Sequence, residues 1–265
     1  MNKIALQGIC YDDKSSYLRG TAKAPDIILK ALKSGSMNLF SENGFNFENN
    51  IVEKGNFHIS DYFEIEAITK KHLDANNKIL TLGGDHSITY PIIKAFSQKY
   101  NKIDILHIDA HSDLYDIYDG DKYSHACPFA RIKENGLADK LVQVGIRTLN
   151  KHQAEQAKRF DVEIHQMKDL NLSKIAKFKN PLYISLDIDA FDPAFAPGVS
   201  HYESGGLSSR QVIELIQKID SDVIGADIVE FNPTRDHHNM TAFLAVKMMK
   251  EIMAKMINIK SVSQQ

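Results

Sequence analysis

The stretch Ile103-Asp104-Ile105-Leu106-His107-Ile108-Asp109-Ala110-His111-Ser112-Asp113 decides the fold, because a largely apolar run breaks off abruptly into a polar cluster. Such a run reads as a strand buried in a sheet, and the cluster marks where the strand ends. Side chains alternate between the faces of a strand, so if the extended conformation persists, Asp109, His111 and Asp113 point the same way. Two carboxylates and an imidazole then share one small volume. No lysine or arginine is spaced to neutralise them, and burying them unpaired would cost roughly several kcal/mol each, so a cation is the natural missing partner. The alternative for this segment alone is a polar strand end facing water.

Similar apolar, β-branched runs lie at 4–9, 79–82, 141–146, 182–186 and 223–229, and segments with helical periodicity lie between them at 24–32, 63–73, 92–96, 153–160, 211–219 and 242–257. Strand alternating with helix predicts a parallel sheet covered on both faces, an α/β/α sandwich of three layers. The absence of a linker-like stretch argues for one domain over 1–265. Residues 34–60, with Ser34-Gly35-Ser36, Asn43-Gly44 and Asn49-Asn50, carry turn chemistry and read as a surface excursion. The polar residues 260–265 are expected to fray.

The totals place the chemistry locally. A hydrophobic fraction of 43%, a charged fraction of 25% and a formal net charge of -2 give no electrostatic case for nucleic acid or an anionic membrane. The N-terminus enters a strand-like run without a signal-peptide pattern, and no transmembrane-length apolar run follows, which reads as cytoplasmic. Cys10 and Cys127 belong to no Cys-x-x-Cys pair and are expected to be free thiols.

Ligands of an open parallel sheet bind beyond the carboxyl ends of its strands. After 79–82 comes Gly83-Gly84-Asp85-His86-Ser87, where the glycines permit a tight turn and Ser87 can cap the following helix. After 182–186 comes Asp187-Ile188-Asp189-Ala190-Phe191-Asp192-Pro193, with Asp187 and Asp189 expected on one face, and after 223–229 comes Glu230. Each cluster alone has a plainer reading as a turn or a solvated strand end. Jointly, four strand ends deliver His86, Asp109, His111, Asp113, Asp187, Asp189 and Glu230 to one rim. Leaving Glu230 aside, two imidazoles and four carboxylates without thiolates suit Mn²⁺ better than a structural zinc. Six ligands are too many for one ion that keeps an open position, whereas two ions roughly 3.5 to 4 Å apart, bridged by carboxylates, use them all.

The three motifs, in this order, resemble the signature motifs of the ureohydrolase family, which contains arginases, agmatinases and formiminoglutamases. The likeness extends to Tyr123-Ser124-His125-Ala126, Phe129-Ala130-Arg131-Ile132, Ala194-Phe195-Ala196-Pro197-Gly198-Val199-Ser200-His201 and Gly225-Ala226-Asp227-Ile228-Val229-Glu230-Phe231-Asn232-Pro233, and its nearest form is the plant-type arginase branch, which groups with agmatinases. The resemblance implies an arginase-like, mostly parallel sheet of about eight strands. It implies one manganese on His86, Asp109, Asp113 and Asp187 and a second on Asp109, His111, Asp187 and Asp189. Asp85 then sits outside the metal ligands and orients one of them, while His107 packs beneath the site.

The same resemblance implies the activity. A hydroxide held between the ions attacks the guanidinium carbon of arginine or agmatine, releasing urea and ornithine or putrescine. Glu230 grips the guanidinium, Asp189 accepts a proton, and the loop histidine His125 delivers one to the leaving amine. The loop 114–124 is expected at the pocket mouth, and His201 near it. Tyr115 stands where animal arginases carry an asparagine for the amino-acid end of arginine, so arginine and agmatine both remain open. Formiminoglutamate or guanidinobutyrate hydrolysis, a one-metal zinc deacetylase and a non-catalytic regulatory homologue are the rival readings. The resemblance also implies a homotrimer or homohexamer.

Overall fold

The computed structural model describes residues 3–75, 78–175 and 177–257, so the expectation for 260–265 lies outside the described residues. Among the described residues eight strands form one sheet: β1 (Ile4–Cys10), β2 (Ile51–His58), β3 (Lys78–Leu82), β4 (Asp104–Ile108), β5 (Leu141–Ile146), β6 (Glu163–Gln166), β7 (Leu182–Asp187) and β8 (Val223–Val229). Every pairing is parallel, in the order β2-β1-β3-β8-β7-β4-β5-β6. The four strands whose ends carry the polar clusters, β3, β8, β7 and β4, are therefore consecutive in the middle of the sheet.

Among the described residues seven α-helices cover it: α1 (Ala24–Leu32), α2 (Glu64–Asp74), α3 (Thr89–Ser97), α4 (Pro128–Glu134), α5 (Lys151–Arg159), α6 (Ser209–Lys218) and α7 (Met240–Met256). Strand alternation divides the core in two. Leu106 and Ile108 of β4 and Ile184 and Leu186 of β7 pack with the apolar faces of α1, α6 and α7, whereas Ile105 and Tyr183 turn to α2, α3 and α4 on the other side. Both faces are covered, so the central strands are largely apolar, and each buried Leu or Ile contributes roughly 1.5–3 kcal/mol. Gly225 of β8 leaves no room for a side chain in this packing, since a Cβ there would lie 2.4 Å from the Phe96 ring. No helix among the described residues is long and apolar enough to cross a membrane.

Three features depart from the sequence reading. The excursion expected over 34–60 contains an edge strand, β2, whose Glu53-Lys54-Gly55-Asn56, alternately exposed and half-buried, resembles loop chemistry because one side of it meets solvent. The opposite edge, β6, is four residues long and half-buried, too short for a periodic signal. The seven-residue α4, opened by Pro128, is likewise too short to announce itself. Cys10 and Cys127 are free and buried, and burial pushes their thiols up to about 11 and about 12.

Candidate metal centre

The end of β3 is built for close approach. A Cβ on Gly84 would lie 1.8 Å from the Tyr11 carbonyl oxygen, so only glycine lets this turn pass the end of β1, and the Asp85 amide then donates to that same carbonyl at 3.0 Å. Asp85, not Ser87, caps the short 3₁₀ turn His86–Ile88: its Oδ1 accepts from the Ser87 amide at 3.0 Å and from the Ser87 hydroxyl. Its Oδ2 accepts from the Lys14 amide at 2.9 Å. Asp85 thus orients His86 through the turn rather than by touching its ring. Burial, and then Glu230, raise its carboxyl to about 7.

His86 is fully buried, and its Nε2 lies 2.9 Å from Ser185 Oγ. Its Nδ1 lies 3.2 Å from Asp109 Oδ2, 3.2 Å from Asp113 Oδ2 and 3.1 Å from Asp187 Oδ2. A second group adjoins the first: His111 Nδ1 is 3.1 Å from Asp189 Oδ2 and 3.5 Å from Asp109 Oδ1. All six candidate ligands converge, with Asp109 common to both groups.

Strand alternation is not what brings them together. β4 stops at Ile108, the His111 amide folds back onto Asp109 Oδ1 at 2.6 Å, and Asp113 takes φ 49°. Asp187 likewise ends β7 and caps the 3₁₀ turn Ile188–Ala190, its Oδ1 accepting from the Asp189 amide at 2.7 Å. The expectation of a continued extended face is therefore corrected: carboxylates that bond amides two residues on curl each segment into the site.

His107 lies beneath. Gln143 donates to its Nδ1 at 3.0 Å and to the Ser112 carbonyl at 2.6 Å, which leaves His107 Nε2 as the donor to Asp109 Oδ2 at 2.6 Å. Both ring nitrogens are committed, so His107 orients Asp109 and is not open as a ligand.

The donor set fits a cation. With Nε2–H of His86 donating to Ser185, its buried Nδ1 has no hydrogen-bond partner among the described residues and aims a lone pair at three carboxylate oxygens. A positive charge satisfies that arrangement, either a cation between the groups or, without one, a proton on Nδ1. Burial opposes charge on His86, but the carboxylates around it outweigh burial and raise its pKa well above the usual imidazole range. Burial, and then Asp189 and Asp109, push Asp187 well above the usual carboxylate range.

Glu230 closes the rim. It follows β8 with φ 61°, its amide donates to the Gly84 carbonyl at 2.8 Å, and its Oε1 accepts from the His86 amide at 2.9 Å. The same oxygen lies 2.9 Å from His125 Nδ1. Burial opposes charge on His125, and Glu230 overcomes it, raising the imidazole to about 9. A pocket of about 160 Å³ opens above this pair, with room for a small linear molecule.

The sequence model of the arginase family matches residues 2–255. The chain belongs to the arginase family. It is a ureohydrolase of the arginase and agmatinase type. It is 41% identical to mitochondrial arginase 1 of Arabidopsis thaliana over 95% of this chain and 80% of that one. It is 36% identical to the agmatinase of Bacillus cereus over 71% of this chain and 67% of the relative. The solved arginase of Medicago truncatula superposes with a TM-score of 0.92 at 38% identity, covering 96% of this chain and 87% of that one.

The ureohydrolase pocket holds residues that the sequence reading did not single out, Ser16 among them, beside His201 and the 114–124 loop that it expected at the mouth. Ser16, from the loop after β1, lies 2.8 Å from His125 Nε2. His201 lines the pocket and stacks on His125 with centroids 5.4 Å apart. Tyr115 and Tyr118 line it as the expectation for the 114–124 loop requires. Asp227, in mid-β8, accepts from Thr89, Tyr183 and Ser185 beneath His86. A carboxylate inside an apolar strand run was a signal available for Asp227. None existed for Ser16, which reaches the site across 109 residues of sequence.

Proposed function

We propose that this ureohydrolase cleaves the guanidinium group of arginine or agmatine, releasing urea and ornithine or putrescine, with one manganese on His86, Asp109, Asp113 and Asp187 and a second on Asp109, His111, Asp187 and Asp189. The observation that carries this reading is the unpartnered, buried Nδ1 of His86 facing three carboxylate oxygens at 3.1–3.2 Å. When bound, such a pair of ions acts as a Lewis acid that supplies hydroxide from water near neutral pH.

The chain's own residues do the rest. Glu230 Oε1 is committed to the His86 amide and to His125, while Oε2 has no hydrogen bond among the described residues and is free to accept a guanidinium N–H. The planar fork of guanidinium donors matches a carboxylate, which orients the carbon for attack. Asp189 takes the proton released as the oxygen bonds to that carbon. His125, kept charged by Glu230 at neutral pH, passes a proton to the leaving nitrogen as the C–N bond breaks, so the product departs as a neutral amine.

The substrate tail meets no lysine or arginine among the described lining residues. Arg147, nearby, spends its guanidinium on the carbonyls of Gly145, Asp189, Ala190, Phe191 and Glu203. A substrate carboxylate would rely on neutral groups such as Tyr115, Thr148 and Gln153. That supports agmatine as a substrate, while the plant arginase relatives support arginine. Purified protein loaded with Mn²⁺ is expected to release urea from one or both, and absence of urea from arginine, agmatine and guanidinobutyrate alike sinks the reading.

A further inference from the structure

We propose that Ser16 is the outer end of a proton path that recharges His125 after each turnover, a role that rests on the reading of His125 as proton donor. Glu230 holds His125 Nδ1 at 2.9 Å, and a carboxylate only accepts, so Nδ1 carries a hydrogen and Nε2 is the nitrogen free to lose and regain one. Nε2 lies 2.8 Å from Ser16 Oγ. The His125 side chain is 11% exposed, whereas Ser16 is an exposed residue that also lines the pocket, so the hydroxyl stands where the buried imidazole meets water.

The surroundings hold this contact in place. The His125 amide donates to the Lys14 carbonyl at 3.2 Å, and the Lys14 amide donates to Asp85 at 2.9 Å. Lys14 Nζ also pairs with Asp121, four residues before His125. At the other end of the loop, Asp12 Oδ2 accepts from the amides of Gly20 at 2.7 Å and Ala22 at 3.2 Å. The His125 ring cannot swing away, because it stacks on His201 at 5.4 Å and His201 in turn meets Tyr17 at 5.6 Å.

A serine hydroxyl donates one hydrogen and accepts others, so it relays without becoming charged. Once Nε2–H has passed its proton to the leaving nitrogen, Ser16 Oγ–H gives its hydrogen to the Nε2 lone pair while Oγ takes a proton from solvent. The O–H bond broken is replaced by the one formed, and the net transfer is one proton from water to His125.

Ser16→Ala and Ser16→Thr in the manganese-loaded full chain test this, with urea release followed at low buffer concentration. The alanine variant is expected to lose about tenfold in kcat with KM changed less than about twofold, the pattern of a lost transfer step rather than lost binding. Added imidazole, a small diffusible proton carrier, is expected to restore its kcat saturably, and threonine to restore it without imidazole. An alanine variant with parental kcat overturns the relay, and so does a loss that neither imidazole nor threonine repairs, which marks a damaged loop. A silent parent overturns the reading of the site, and the relay with it; an active parent indifferent to Ser16→Ala overturns the relay alone.

Discussion

Asp227 shows how one buried carboxylate fixes a histidine it never touches. Three hydroxyls donate to it, from Thr89 at 2.8 Å, Tyr183 at 2.9 Å and Ser185 at 2.7 Å. Because Ser185 spends its hydrogen on Asp227, its oxygen must accept from His86 Nε2, and that choice leaves the Nδ1 lone pair for the cation. Asp227→Asn brings donor hydrogens against the hydroxyls and releases the tautomer. Manganese affinity is expected to fall about 10–100-fold with native circular dichroism, as titration calorimetry would record, and an unaltered affinity would contradict the chain from Asp227 to His86. Glu230→Gln separates the other function. The amide keeps an oxygen for the His86 amide but loses the charge that holds the guanidinium and His125. Manganese content is expected to stay at the parental level while kcat falls by about 10² or more, and parental turnover would refute its role.

At the scale of elements, Gly84 joins β3 to β1, and the same crossing positions both His86 and the loop that carries Ser16. Gly84→Ala drives a methyl into the Tyr11 carbonyl, so backbone must move. A loss of about 1–3 kcal/mol by urea denaturation, accompanied by weaker manganese binding, is the expected outcome. Stability lost without any change in metal affinity would show that the crossing is structural alone. The elements differ in how openly the sequence declares them, and the difference is burial. β3, β4, β7 and β8 are covered on both faces and so are written as apolar runs, whereas β2 and β6 lie at the sheet edges and mix polar residues with apolar ones. The candidate cluster was legible because its carboxylates and imidazoles sit directly after those apolar runs. Their convergence was inferred from strand alternation, yet it arises from turns at Asp109 and Asp187 that bond their own chain two residues ahead. Ser16 stayed hidden because no local pattern in a loop reports which distant side chain it will meet, whereas His201 was expected near the pocket mouth and lines it.

Across the whole molecule, the middle of the sheet concentrates negative charge at one rim, and this couples metal, proton and fold. Without metal, His86 and His111 keep their protons because the carboxylates around them outweigh burial, so both titrate well above the usual imidazole range. Burial, and then Asp189 and Asp109, raise Asp187 in the same direction. Groups whose folded pKa is raised stabilise the fold below their unfolded value and lose that contribution as pH rises through the folded one. For the imidazoles the unfolded value is about 6.5, so the metal-free protein is expected to weaken as pH climbs above it. Asp109, whose pKa is lowered by the His107 beside it against the effect of burial, contributes a constant amount in this window. Metal binding has the opposite slope, because the ligands must be deprotonated to coordinate. At a free metal concentration of 100 times the dissociation constant, it adds about 2.7 kcal/mol to stability. The gap in melting temperature between manganese-loaded and chelator-treated protein is therefore expected to widen steadily between roughly pH 6.5 and 8.5. Thermal melts at a series of pH values, with and without chelator, measure it. A gap that stays constant or narrows would mean that the cluster at the ends of β3, β4 and β7 is not where the metal binds.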